Sequence, residues 1–279
     1  MVLSVTFDTN VLDLACRPER FPKDPRGQRL HTVKDALIAG TINGFYPVTM
    51  LTIEGIMRKD RAEVFSGTRI RRGPETASAQ IVADRSENSA SMINEEAVEL
   101  LLSVEQPNRK PLHSEVIART QAAHALGVRA LKSVPRIGNF HIDDPKGEFY
   151  LTNGEGDSLA NWITKTHEVC RAIESRGIGI AQVKALGQSM AGPQEAWFSA
   201  LQNSKDIHDE RAIERAFGEW ADADAIASHI AYGIDVFCSS DVGNSNVQNS
   251  VLDSENRAWL TSTYGVRFMN FDELLASLP

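Results

Sequence analysis

Two short apolar segments that end in acidic residues decide the fold of this chain. The first is Ser4-Val5-Thr6-Phe7-Asp8, near the amino terminus, and the second is Val236-Phe237-Cys238-Ser239-Ser240-Asp241, near the carboxyl terminus. Short segments rich in β-branched and aromatic residues are typical of buried strands. Because sites in open parallel sheets form where the strands end, the two terminal aspartates mark a candidate functional edge.

Between and after these two strands, the sequence predicts helices that alternate with further strands. After the first strand, Leu30, Val33 and Leu37 recur at helical spacing and are followed by a second strand near residues 45–50. Towards the carboxyl terminus, the pattern predicts helices over 207–220 and 221–232, the strand 236–238, a helix over 251–264, a strand over 266–269 and a helix over 271–278. Alternating strands and helices predict an α/β fold, a three-layer α/β/α sandwich with a central parallel sheet.

The middle of the chain departs from this alternation. Helical patterns occupy residues 96–104, 114–126 and 158–176, and residues 135–156 are rich in Pro, Gly, Asp and Asn, as loops are. Residues 73–94 are compatible with either a loop or a surface helix.

Composition limits the class of protein. The chain has 279 residues, a net charge of −8 and an isoelectric point near 5.4, which argues against coating nucleic acid by bulk charge. An enzyme acting on nucleic acid remains compatible, because a site built from carboxylates adds negative charge of its own. No apolar segment approaches the roughly 20 residues that cross a bilayer. We therefore expect no membrane association, and a cytoplasmic location.

Two further acids are predicted near the functional edge. Glu54 and Asp222 fall in the first turns of predicted helices that follow or flank the strands ending at Asp8 and Asp241. Each acid alone is more often structural, because it offsets the helix dipole or forms a turn. Four carboxylates in one crevice, however, repel one another unless a divalent cation neutralises them. Oxygen ligands select hard ions such as Mg²⁺ or Mn²⁺.

The ordered set of acids and strands resembles the PIN-domain nucleases. The opening Phe7-Asp8-Thr9-Asn10-Val11-Leu12, Glu54 after the second strand, and the segment from Asp222 to Asp241 with its Gly-Ile-Asp ahead of the strand are similar to the family's pattern. The last strand and helix, within residues 264–275, also fit it. The resemblance covers residues 1–60 and 210–279, less than half of the chain.

This resemblance implies a PIN-like nuclease core in residues 1–60 and 210–279. Compact members of the family need far fewer residues between the second and third acids, so residues 61–209 are expected to form a large, mainly helical insertion that is partly integrated with the core. Homodimers are common in this family, and its toxin–antitoxin members have an inhibitor protein. The resemblance leaves open whether this chain has either partner.

The family's acidic quartet falls on Asp8, Glu54, Asp222 and Asp241, with Asp224 as a second candidate for the third position. The implied activity is hydrolysis of phosphodiester bonds, most often in RNA, assisted by Mg²⁺ or Mn²⁺ and without a covalent nucleophile. Supporting roles fall on three polar residues: Asn10 would support Asp8 or contact the substrate, and Ser239 or Ser240 would orient Asp241 or a metal-bound water.

A basic segment just past Glu54 is the candidate substrate-binding region. Guanidinium groups suit phosphate, although a solvated surface explains any one of these residues equally well. The residues are Arg58, Lys59, Arg61, Arg69, Arg71 and Arg72.

Three other functions share features with this sequence. An aspartate-based phosphatase needs a second aspartate at the position of Asn10, and the pair Gly177-x-Gly179 is followed by Gln182 where a dinucleotide-binding motif needs a third glycine. The serious alternative is a catalytically inactive PIN-like module that binds nucleic acid or protein, because the presence of four acids does not establish their geometry.

Overall fold

The structure, a computed structural model, describes residues 2–57, 60, 63, 64, 69–72, 76–82, 93–99, 102–105, 112–133, 149, 150, 159–241 and 249–278, and the backbone alone for 69–105 and for 159 and 160. The strands are β1 (Leu3–Phe7), β2 (Ile42–Pro47), β3 (Arg69–Arg72), β4 (Thr76–Val82), β5 (Ile93–Glu99), β6 (Leu102–Glu105), β7 (Arg129–Leu131), β8 (Val236–Cys238) and β9 (Arg267–Met269). The α-helices are α1 (Thr9–Cys16), α2 (His31–Ile38), α3 (Thr49–Thr52), α4 (Ser114–Ala125), α5 (Leu159–Ser175), α6 (Ile180–Met190), α7 (Trp197–Ala200), α8 (Ile207–Tyr232), α9 (Ser254–Tyr264) and α10 (Phe271–Ser277).

A five-stranded, all-parallel sheet lies at the centre of the fold, in the order β7-β2-β1-β8-β9. This confirms the predicted α/β fold with a parallel sheet. The register pairs Phe7 with Cys238, so the residues that follow β1 and β8 emerge side by side at one edge. The three-residue strand β7 was not predicted, because it is too short to show a period of its own.

Helices cover both faces of this sheet. Val236 and Cys238 belong to one core cluster, together with residues of α1, α2, α4 and α10, whereas Phe237 belongs to a second cluster with residues of α5, α8 and α9. Successive side chains of a strand point to opposite faces, so the two clusters lie on opposite sides of the sheet.

The predicted helix over residues 96–104 is wrong. Residues of β5 and β6 occupy this region, in antiparallel pairs of β4 with β5 and of β3 with β6. Apolar residues in a short segment do not distinguish helix from strand, and the pairing partners lie elsewhere in the chain. The described part of residues 61–209 therefore contains antiparallel strands as well as helices.

The two helices predicted over 207–220 and 221–232 are one continuous helix, α8. Asp206 caps its start by accepting the amides of His208 and Asp209, at 2.8 and 3.0 Å, and Gly233 ends it at φ +66°. Gly218 lies inside the helix without breaking it, since an isolated glycine is tolerated there at a modest cost.

The first half of α8 projects past the carboxyl edge of the sheet. The helix leads directly into β8 and spans about 39 Å, roughly twice the length of the longest strand of the sheet. Its second half packs in the core cluster of Phe237, whereas Ile213, Phe217 and Trp220 form a separate cluster with Ile53 and residues of α6. The projecting half therefore forms a wall beside the edge where β1 and β8 end.

Gly179 allows α6 to approach this wall. It has φ +67°, and a Cβ built on it would lie 2.7 Å from the Cβ of Ala223, the neighbour of Asp222. Gly179 of the Gly177-x-Gly179 pair thus has a packing role in the fold.

We expect Gly179→Ala to lower the free energy of unfolding by about 1–3 kcal/mol, through backbone strain and the close contact with Ala223. The matched control is Gly218→Ala, because nothing lies within 4 Å of a Cβ at that helical position. The control should gain about 0.5–1 kcal/mol. Denaturant unfolding of the two variants and the parent measures both effects, and an equal response of the two glycines contradicts the packing role.

None of the helices within the described residues is long and apolar enough to cross a membrane.

Candidate active site

Asp8 follows β1, at the switch point of the sheet. The strands β2 and β7 lie on one side of β1, and the strands β8 and β9 lie on the other side. The amide of Asp8 donates to the carbonyl of Cys238 at 2.9 Å, and its carboxylate caps α1 by accepting the amide of Thr9 at 2.6 Å. Only 6% of the residue is exposed. Clefts at such switch points are the usual ligand sites of open α/β sheets.

Asn10 and Ser239 hold the second oxygen of Asp8. The Asn10 Nδ2 and the Ser239 hydroxyl both donate to it, at 2.7 and 2.6 Å. Asn10 Oδ1 also accepts the amide of Ser240 at 2.9 Å, and the Ser239 hydroxyl accepts the amide of Asp241 at 3.0 Å. These bonds join the end of β1 to the end of β8 and fix the backbone that carries Asp241. Ser240 enters this network through its backbone.

Glu54 lies in the turn after α3, two residues beyond the end of that short helix. The prediction that it lies in the first turn of a helix is wrong, because the helix forms earlier, directly after β2. Its carboxylate accepts a hydrogen bond from the hydroxyl of Thr9. Glu54 is thereby tied to the residue that follows Asp8.

Asp222 lies in the interior of α8, not in a first turn as predicted, because the helix is continuous through residue 220. It is half-buried, and its pKa is raised well above the usual 3.8 by burial and then by repulsion from Asp8, Glu54, Glu219 and Asp241. Its carboxylate is therefore within electrostatic range of the other three predicted acids.

Asp224 lies apart from these acids. Its carboxylate accepts the indole N–H of Trp220 at 3.0 Å and lies 3.7 Å from the Sγ of Cys170, in the buried layer between α5 and α8. Two residues along a helix differ by about 200° in direction, so Asp222 and Asp224 cannot face the same site. The structure thus places the two candidates for the third acid on different faces of α8, with Asp222 the one in electrostatic range of Asp8, Glu54 and Asp241.

The carboxylates at this edge disfavour one another's ionised forms. The pKa of Asp8 is raised from 3.8 to about 6, first by burial and then by the Glu54 carboxylate, while hydrogen bonds from Ser239 and Thr9 oppose the increase. Asp241, which is exposed, adds a smaller repulsion. Several carboxylates that raise one another's pKa in a crevice are typical of functional sites.

Glu219 is a fifth acid of this edge that the sequence analysis did not identify. Its carboxylate accepts the amide of Val251 at 2.8 Å, and its pKa is raised by burial and by Asp241 and Asp253. The available signal was its position three residues before Asp222, which places both on adjacent parts of one helical face. The predicted helix boundary at residue 220 obscured it.

The carboxylates interact electrostatically, but they are not arranged as a formed metal site. Within the described ranges, no group of three or more His, Cys, Asp or Glu side chains lies close enough to hold a metal ion. The donors available at the edge are carboxylate oxygens, which suit Mg²⁺ or Mn²⁺.

The predicted basic segment lies largely beyond what the structure describes. Arg58, Lys59 and Arg61 are outside the described residues. The backbone of Arg69, Arg71 and Arg72 belongs to β3, which pairs with β6. The structure describes only the backbone of these residues.

The chain matches no protein-family model, and no curated protein or solved structure is significantly similar to it. Parallel α/β sheets serve many unrelated chemistries, so the function has to come from the site itself.

Proposed function

We propose that this protein is a metal-dependent nuclease with a PIN-like core, which hydrolyses phosphodiester bonds, preferentially in RNA, at the edge formed by Asp8, Glu54, Asp222 and Asp241. The observation that carries the proposal is that burial, and then repulsion from the neighbouring carboxylates, raise the pKa of Asp8 and of Asp222. The order of the four acids along the chain and the position of Asp8 at the switch point agree with it.

Repulsion of this kind is relieved by protonation of a carboxylate or by a bound cation. Neither Asp8 nor Asp222 forms an ion pair with any residue that the structure describes. A buried carboxylate without an ion-pair partner is costly when ionised. Keeping such carboxylates together at an edge of the sheet that is partly exposed to solvent is therefore more consistent with a binding role than with a contribution to stability.

The chain's own residues prepare the edge for an ion and a phosphodiester. Asn10 and Ser239 fix one oxygen of Asp8, Thr9 orients Glu54, and the rigid helix α8 carries Asp222. Asp8, Glu54, Asp222 and Asp241 would hold the ion, which when bound supplies Lewis-acid polarisation of the phosphate and a more acidic water. Asp241, the exposed member, lies nearest to solvent and to an incoming substrate.

Cleavage of single-stranded RNA and DNA by the full chain, with Mg²⁺, Mn²⁺ or EDTA, tests the proposal directly. We expect cleavage with either ion, faster on RNA, and none with EDTA. Failure to cleave either nucleic acid under all of these conditions overturns the catalytic proposal and leaves the inactive binding module as the function of this fold.

We expect Mn²⁺ to raise the melting temperature of the metal-free protein. An ion that binds only the folded state stabilises it by about 2.7 kcal/mol at 100 times its dissociation constant. For a chain of this size, that corresponds to a shift of roughly 5–10 °C. Differential scanning fluorimetry over a Mn²⁺ series measures the shift, and Asp8→Asn should reduce it. An identical response of the parent and Asp8→Asn contradicts binding at this edge.

A further inference from the structure

The projecting half of α8 carries an exposed basic stripe in line with Asp222. Residues of a helix are related by 100° and 1.5 Å per position. By this geometry Arg211, Arg215 and Gly218 lie within about 40° of Asp222 around the helix axis, whereas Ile213, Phe217 and Trp220 lie about 140–180° away. The latter three are buried in the core, so the stripe faces outward.

The stripe is accessible and its charges are available. Arg211 and Arg215 are both exposed, and neither forms an ion pair with a residue that the structure describes. Between them and Asp222 lies Gly218, around which nothing occupies the space of a Cβ. A polyanion could therefore approach the helix closely on its way to the acidic edge.

The neighbouring acids lie to the sides of the stripe. Glu214 and Glu219 are displaced from Asp222 by about 80° and 60°, in opposite directions around the axis. The carboxylate of Glu219 is also held by the amide of Val251. Neither acid lies between the two arginines and Asp222 along the stripe.

We propose that Arg211 and Arg215 form a phosphate-binding track, which holds the backbone of a single-stranded nucleic acid and leads it to Asp222. This inference rests on the proposed function, because Asp222 marks where the phosphodiester is cleaved. Along the axis the two arginines lie about 16 and 10 Å from Asp222. At about 3.4 Å for each stacked nucleotide, these spacings place the held phosphates some three to five nucleotides from the cleavage point.

The chemistry of the stripe selects a nucleic acid over an acidic peptide. The protein has a net charge of −8, so weakly charged anions are repelled overall. A single strand carries closely spaced phosphates in a line, and the planar guanidinium donates two parallel hydrogen bonds to each one that it meets. Arg211 and Arg215, which are exposed and one helical turn apart, place two such guanidinium groups along a straight line.

The test is binding of fluorescently labelled single-stranded RNA of about 12 nucleotides, measured by anisotropy with EDTA present over a salt series. The double variant Arg211→Gln/Arg215→Gln removes two phosphate contacts. We expect about 10–30-fold weaker binding at 0.1 M salt, and a salt slope smaller by about 1.4, because each contact on a single strand contributes about 0.7. The matched control is Arg129→Gln, an exposed arginine on the edge strand β7. It should bind as the parent does, and all variants should keep the parent's melting temperature.

The outcomes separate this inference from the proposed function. Binding that is weakened in the double variant supports the track, even if the parent cleaves nothing and the nuclease proposal fails. Cleavage by the parent, together with unchanged affinity and salt slope in the double variant, overturns the track and leaves the nuclease proposal standing. An equal loss in Arg129→Gln, or no binding by the parent, also overturns the track.

Discussion

Replacing Asp8 by Asn is expected to reduce phosphodiester cleavage by about 100–1000-fold, the size of effect that follows loss of one preorganised electrostatic group in an active site. Asp8 lies at the centre of the edge, where Asn10, Ser239 and Thr9 hold its two oxygens. The substitution keeps the size of the side chain but removes the charge that would bind a cation. Asp241→Asn should have a similar effect at the other strand end.

Asp235→Asn is the matched control for these variants. Asp235 precedes β8 and lies at the opposite end of the same strand from Asp241, where it accepts hydrogen bonds from the amide and hydroxyl of Ser4. The control removes one negative charge from the same strand but none from the candidate site, so cleavage should persist. Initial rates on a labelled RNA with saturating Mn²⁺ provide the comparison. If Asp8→Asn and Asp235→Asn cleave at the same rate, the edge of the sheet is not the site of cleavage.

The sequence predicted the parallel sheet and the positions of the acids better than the connections between them. Strong local signals marked β1 and β8, where apolar residues end at Asp8 and Asp241. Because the structure shows both strands to be parallel and adjacent, their ends lie side by side, which the local pattern of each strand did not itself establish. The convergence of Glu54 and Asp222 on them depends on packing that no local pattern contains.

The errors arose where tertiary contacts override local preferences. The helix α8 was divided near residue 220, although nothing in the local sequence breaks it. This division hid the alignment of Arg211 and Arg215 with Asp222, and the nearness of Glu219 to it. The choice between Asp222 and Asp224 also stayed open until packing placed Asp224 beside Trp220. The strand β5 resembled a helix because its partner, β4, supplies its hydrogen bonds from outside the segment.

Replacing Asp222 by Asn is expected to raise the stability of the metal-free protein while strongly reducing cleavage. At neutral pH the substitution removes a carboxylate that burial and repulsion from Asp8 and Glu54 disfavour. It removes no hydrogen bond or ion pair with a described residue. Each gain of about 1 kcal/mol raises the melting temperature by roughly 2–4 °C in a chain of this size. Cleavage should decrease as it does in Asp8→Asn.

The pH dependence of this difference identifies its cause. A carboxyl whose pKa is higher in the folded than in the unfolded state contributes stability that is complete below the unfolded pKa and is lost as pH rises through the folded pKa. For Asp8 this window extends from 3.8 to about 6, and the pKa of Asp222 is shifted in the same direction. The stability advantage of Asp222→Asn should therefore grow as the pH of EDTA-treated samples rises from about 4 to 7.

The comparison with the parent isolates Asp222 from other titrating groups. Burial lowers the pKa of His229, which is hydrogen-bonded to Thr6, from 6.5 to about 4, so both proteins lose stability from this residue as pH falls below 6.5. Since His229 is the same in both, its contribution cancels in the difference. Asp224→Ala is the matched control, because it leaves the buried indole N–H of Trp220 without its partner and should cost about 1–3 kcal/mol. Melting curves across pH test all three proteins, and an Asp222→Asn advantage that does not grow with pH means that charge repulsion at the sheet edge is not its source.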